Sequence, residues 1–203
     1  HKNVLPLLGY CTDLSPALCM ISPWMSNGTV DEYVKTHGDA DTVKLIEGMA
    51  RGLDYLHGQN IVHGDLRCSN ILVSDEKEAV ISGIGMARLT LHMTTLPTIH
   101  ESHRWRAPEV HLPPKFGLTI EDALALPADV WAFGMTILEL LTGEAPYDEL
   151  KSDDDVSITI ISGLIPREPT PPAPSDTAKL KLIDTLWPFC LQCWAHYPAS
   201  RPT

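Results

Sequence analysis

His63-Gly64-Asp65-Leu66-Arg67-Cys68-Ser69-Asn70 lies between two apolar runs, Ile61-Val62 and Ile71-Leu72-Val73. An Asp that follows a Gly in a loop most often caps a turn, and Asn is common in loops. Neither residue says much alone. Together with a basic residue two positions after the Asp, they match the needs of phosphoryl transfer. That reaction requires an acceptor for the substrate hydroxyl proton, oxygen ligands for magnesium and positive charge near the phosphates. Asp65, Asn70 and Arg67 are of those types.

Working outward, the chain before this loop carries a helix-period pattern. Ile46, Met49, Ala50, Leu53 and Leu56 form one apolar face, and Gly58 ends the helix. Thr29-x-x-Glu32 reads as a capping box opening a short helix closed by Gly38, after a turn at Ser26-Asn27-Gly28. Residues 3–10 and 17–24 read as two short apolar strands. After the loop, 71–74 and 79–82 read as a small hairpin around Asp75-Glu76-Lys77-Glu78. Residues 86–109 lack periodicity and are rich in Thr and His, as functional loops often are. Residues 127–142 form a strong helix, with Pro127 in its first turn and Gly143 after its end. A further helix is expected over 154–163. The last, 178–194, follows a Pro-rich connection and should be interrupted or kinked at Pro188.

Bulk composition narrows the classes. The 203 residues are 44% hydrophobic and 20% charged, which is ordinary for one globular domain. The net charge of −11, from 15 basic and 26 acidic residues, with no Lys/Arg block, argues against a nucleic-acid partner. The most apolar long stretch, 128–141, is broken by Asp129 and Glu139 and is too short to span a bilayer. Five scattered cysteines point to a reducing, cytoplasmic compartment. Cys190-x-x-Cys193 stands without a second pair, so core packing is the expectation there and zinc or redox chemistry the alternative.

The loop His63 to Asn70 resembles the catalytic loop of kinases, H-R-D-L-x-x-x-N. Small-molecule kinases, such as the aminoglycoside and choline phosphotransferases, also write it H-G-D-x-x-x-x-N. Three downstream motifs favour eukaryotic protein kinases, of the tyrosine-kinase and tyrosine-kinase-like branch. Arg104-Trp105-Arg106-Ala107-Pro108-Glu109 resembles their segment ending in A-P-E. Asp129-Val130-Trp131-Ala132-Phe133-Gly134 resembles D-V-W-S-F-G. Cys193-Trp194 with Pro198-x-x-Arg201-Pro202 resembles their C-W-x-x-x-P-x-x-R-P ending.

The resemblance implies a mainly α (α+β) protein-kinase-like fold in a single domain, 1–203. Residues 1–25 would be remnant N-lobe strands and hinge, and 26–203 a helical C-lobe. The Gly-rich loop, the β3 Lys and the αC Glu would lie before His1, so the chain is either a piece of a longer one or truly short. The resemblance also implies Asp65 as catalytic base, Asn70 as magnesium ligand and Arg67 as the basic residue of the loop. Leu72 would lie under the adenine of ATP, with Ser22 as gatekeeper and Met25 in the hinge. Asp129 would accept backbone N–H groups near His63, and Glu109 would pair with Arg201.

Two departures stand out. Ile81-Ser82-Gly83-Ile84-Gly85-Met86-Ala87-Arg88 resembles I-S-D-F-G-L-A-R, so Gly83 replaces the magnesium-binding Asp. Ser82 and Asp75 are poorly placed to substitute. Gly64 replaces an Arg that pairs with a phosphorylated residue. Thr90, Thr94, Thr95, Thr98 and Ser102 remain as acceptors without that partner. The expectation is a kinase-like domain with a degraded site, in which ATP and magnesium are both doubtful, acting if at all as a signalling scaffold or allosteric partner of another protein. The rivals are an active kinase completed upstream and a gene fragment without a function of its own.

Overall fold

The computed structural model describes residues 1–13, 19–85, 103–170 and 176–203. It has seven α-helices among the described residues and two small antiparallel sheets, in agreement with a mainly α kinase-like fold. The first sheet pairs β1 (Gly9–Cys11) with β2 (Cys19–Ile21). The strands are shorter than the apolar runs that announce them. Leu7, Leu8, Tyr10 and Trp24 are exposed, so hydrophobicity there does not reflect burial. Residues 3–5 instead run beside the second sheet. Leu5 N–H donates to the Ile81 carbonyl at 2.8 Å, and Ile81 N–H to that of Asn3 at 3.0 Å.

Helix α1 (Val30–Thr36) starts at Thr29, whose N–H donates to the Glu32 carboxylate at 3.4 Å, and ends at His37 rather than Gly38. Helix α2 (Thr42–Gly58) is capped by Asp41, which accepts from Lys44 N–H at 3.0 Å. Its apolar face buries Leu45, Met49, Leu53 and Leu56. A Cβ at Gly52 would come within 2.5 Å of the Asn3 carbonyl, so the glycine is what lets residues 3–5 and the Ile81 side chain lie against α2.

The second sheet, β3 (Ile71–Val73) with β4 (Ala79–Ile81), hangs off the loop that ends at Asn70. After two short helices, α3 (Pro108–His111) and α4 (Ile120–Ala123), comes the central helix α5 (Leu126–Thr142). It is buried nearly all round, including Trp131, Met135 and Ile137, and stops where Gly143 adopts φ 77°. Helix α6 (Asp153–Ile161) is capped by Ser152, and α7 (Thr177–Cys193) by Asp176. Helix α7 continues through Pro188 without the interruption that is one of the two expectations there, the other being a kink. It packs on α5, where Gly134 leaves room for the Trp194 indole; a Cβ there would lie 2.8 Å from Nε1. No helix among the described residues is long and apolar enough to cross a membrane.

Candidate functional site

The loop 63–70 is held by its backbone. The Asp129 carboxylate, 1% exposed near the start of α5, accepts from His63 N–H at 2.7 Å and from Gly64 N–H at 2.8 Å. His57 Nε2 lies 3.1 Å from the same carboxylate. Such charge-assisted bonds are among the stronger ones in a fold. The buried His63 ring bridges two segments. Its Nδ1 accepts from Asp65 N–H at 3.1 Å, which leaves Nε2 to donate to the Ser82 carbonyl at 2.7 Å. The loop and the segment at Gly83 are thereby pinned together.

Further along, Glu139 anchors the other end. Its Oε2 accepts from Cys68 N–H at 2.9 Å and from the Trp105 indole N–H at 2.9 Å. Burial pushes the Glu139 carboxyl above the usual carboxylate range, and these donors pull partly against it. The Arg67 guanidinium lies 4.5 Å over the Trp105 ring, a cation–π contact. Thus Arg67 and Glu139 both tie the loop to the segment that leads into α3. The sequence reading missed Glu139 and His57. The usable signal was a carboxylate inside an otherwise apolar helix, which needs partners when buried.

Asp65 and Asn70 meet. The Asn70 amide Nδ2 donates to the Asp65 carbonyl at 2.7 Å and to Oδ2 at 2.9 Å. The other carboxylate oxygen, Oδ1, is buried without a hydrogen-bond partner. Asp65 lines a cavity of about 20 Å³ together with Trp105, Arg106, Val110 and Leu124. That volume holds roughly one water. Arg106 sits in the field of Asp65; burial lowers its pKa, and the Asp65 charge works the other way.

The metal position fits poorly. Gly83 has φ +72°, and a Cβ built there would lie 3.2 Å from Asn70 Cγ and Oδ1. A side chain at position 83 would therefore start beside the Asn70 amide, as a paired ligand should, but glycine supplies none. Ser82 is no substitute, since its hydroxyl donates to the Asn70 carbonyl at 2.9 Å. Asp75 accepts from the Ser26 hydroxyl at 2.5 Å. No group of three or more His, Cys, Asp or Glu side chains suited to a metal occurs among the described residues. Magnesium needs carboxylate oxygens besides those of a substrate, and one amide does not fit that need.

The adenine-side residues are only partly brought together. Leu72 is half-buried, pairs with Val80 and bridges to Thr29. Met25 is half-buried, and its carbonyl accepts from Gly28 N–H at 3.2 Å. The turn is fastened to β3 by Asn27 Nδ2, which donates to the Ser74 carbonyl at 2.8 Å. Ser22 is exposed.

Glu109 and Arg201 form a buried bidentate pair, with Nη1–Oε1 at 2.5 Å and Nη2–Oε2 at 2.7 Å. Arg201 also donates to the carbonyls of Pro127 and Ala195, each at 2.9 Å. Cys190 and Cys193 are buried in the core, and burial raises both thiols to about 12. The candidate phosphoacceptors Thr90, Thr94, Thr95, Thr98 and Ser102 lie outside the described residues.

The chain matches the family model of protein tyrosine and serine/threonine kinases over residues 1–203. It is 30% identical over its whole length to the serine/threonine-protein kinase STY17 of Arabidopsis thaliana, of which it covers 33%. It is 35% identical over 72% of its length to the leucine-rich repeat receptor protein kinase MSP1 of Oryza sativa subsp. japonica, covering 12% of that protein. Over its whole length it is 27% identical to the tyrosine-protein kinase SPK-1 of Girardia tigrina, covering 40% of it. The chain thus spans well under half the length of these relatives.

Proposed function

This chain belongs to the protein tyrosine and serine/threonine kinase family, and within it we propose a catalytically impaired domain with a signalling or scaffold role toward a protein partner. The observation that carries this reading is Gly83 beside Asn70, where a Cβ would start 3.2 Å from the amide and no carboxylate follows. The family uses ATP and magnesium. In this reading Asp65 stands at the base position, Asn70 is the metal ligand left among the described residues, and Leu72 and Met25 stand on the adenine side, with Ser22 exposed beyond them. Removing one preorganised charge-stabilising group typically costs 10²–10³ in rate, or ~3–4 kcal/mol. Asp65 and Arg106 line one cavity of about 20 Å³, room for roughly one water.

What remains is a frame. Asp129, Glu139 and the Glu109–Arg201 pair hold the loop, the segment before α3 and the C-terminal turn in a fixed relation. Residues 1–25 act as the remnant N-lobe strands and hinge and 26–203 as the C-lobe. The odd, scattered set of five cysteines in the sequence fits a reducing cytoplasmic setting.

The test is ATP binding by calorimetry, with and without magnesium, and radiolabelled phosphate transfer, on the longest natural protein containing this domain. The expected result is binding that does not depend on magnesium, or none, and no transfer. Tight magnesium-dependent binding, with transfer abolished by Asp65→Asn, would establish the rival reading of an active kinase.

A further inference from the structure

We propose that Cys11 and Cys19 are a redox modification site, closing a reversible intrachain disulfide across β1 and β2 when the protein meets a hydroperoxide. The two residues are direct register partners in the antiparallel ladder. Directly opposed residues of such a ladder have Cα atoms about 4.5–5.5 Å apart. A disulfide spans about 4.4–6.8 Å. Both are thiols, and both are half-exposed.

The other three cysteines make the site selective. Cys68, Cys190 and Cys193 are buried, and burial raises all three thiols, the last two to about 12. Protonated and enclosed, they are poor nucleophiles. Oxidant therefore reaches the pair on the hairpin first.

The sheet itself gives the bond an effect. Two strands of three residues are marginal in water without further packing. Tyr10, Met20 and Ile21 on them are exposed, so little burial holds the register. A covalent link between Cys11 and Cys19 fixes it, and β2 leads within a few residues to Ser22 and Met25. Oxidation therefore stiffens the approach to that edge, and reduction releases it.

The chemistry balances with the peroxide as oxidant. With hydrogen peroxide, the Cys11 thiolate attacks one oxygen, the O–O bond breaks, and the departing hydroxide takes a proton, giving a sulfenic acid and water. The Cys19 thiolate then attacks that sulfur, the S–S bond forms, the S–O bond breaks, and hydroxide leaves as a second water. Both sulfurs are oxidised and both peroxide oxygens reduced. A dithiol reverses the bond by exchange.

The experiment treats the reduced full chain with hydrogen peroxide and alkylates the remaining thiols. The chain is then cleaved at Asp13, so that the two cysteines fall on separate peptides, and mass spectrometry follows without reduction. The expected product is a linked pair of peptides lighter by two hydrogen atoms. Alkylation of Cys11 and Cys19 is lost together and restored by dithiothreitol, while Cys68, Cys190 and Cys193 label only after denaturation. Cys11→Ser and Cys19→Ser should each abolish the linked species and leave the other cysteine trapped by dimedone as a sulfenic acid. Independent sulfinic acids on Cys11 and Cys19 without linkage, links between two chains, or equal oxidation of Cys68 would each overturn the proposal. Should either serine variant fold poorly by circular dichroism, the wild-type linkage still decides.

Discussion

Replacing Glu109 by Leu removes a carboxylate that is 1% exposed and whose two oxygens each meet one Arg201 nitrogen. The guanidinium stays buried, 5.2 Å from the Trp131 ring and hydrogen-bonded to the Pro127 and Ala195 carbonyls, but without a counter-charge. Breaking such a buried pair from one side costs about 3–5 kcal/mol. A domain of this kind has only about 5–15 kcal/mol in total. With a urea slope of about 2 kcal/mol/M, the midpoint should fall by roughly 2 M. Arg201→Met should cost at least as much, because it also strands the carbonyl acceptors. The double variant Glu109→Leu/Arg201→Met buries no lone charge, so its loss should be well below the sum of the two single losses. Urea titrations followed by tryptophan fluorescence measure all three. Single losses under about 1 kcal/mol, or a double loss equal to the sum, would refute the account of this pair as a coupled unit.

Further outcomes follow from the same geometry. Gly83→Asp must take φ +72° and crowd Asn70, costing about 1 kcal/mol, since Asp tolerates the left-handed region better than most residues. In the full-length protein it should gain a magnesium-dependent thermal shift with ATP; a shift indifferent to magnesium counts against the missing carboxylate as the limiting group. Gly134→Ala places a methyl 2.8 Å from Trp194 Nε1 and 2.9 Å from Cys193 Cβ. It should destabilise by about 1–3 kcal/mol in a thermal melt, and an unchanged midpoint would contradict the α5–α7 packing. His111 is held down to about 4, first by burial and then by the Arg106 charge. Its folded pKa lies below the ordinary imidazole value, so the unfolded chain binds the proton more readily. Stability should then be intact above about pH 6.5 and decline toward pH 4, by roughly 2 kcal/mol for a half-buried ring. The decline should flatten in His111→Asn; identical pH profiles for the two proteins would remove that cause.

The sequence made some of this architecture legible because the responsible interactions are local or periodic. The 3.6-residue face of α2, Pro127 near the start of α5 and Gly143 past its end are written in neighbouring residues. The segments around Gly83 and Glu109 could be placed by motif, and the structure sets Gly83 beside Asn70 and Glu109 against Arg201. What stayed illegible depends on distant partners. The lengths of β1 and β2 were overstated because their apolar residues remain exposed. Pro188 pointed to an interruption or a kink, and the contact of its helix with α5, under which the helix continues, lies far away in the chain. Glu139 looked like an interruption in an apolar helix until the donors at Cys68 and Trp105 were visible.

The grip of α5 on the loop has an evolutionary corollary. Asp129 and Glu139 sit ten residues apart, about 15 Å along one rigid rod, and clasp the peptide groups of residues 63, 64 and 68. Main-chain amides are supplied by almost any residue, so the loop's path is indifferent to much of what it displays. Side chains can be exchanged there while the path persists, so the backbone frame and the chemistry it carries are separable.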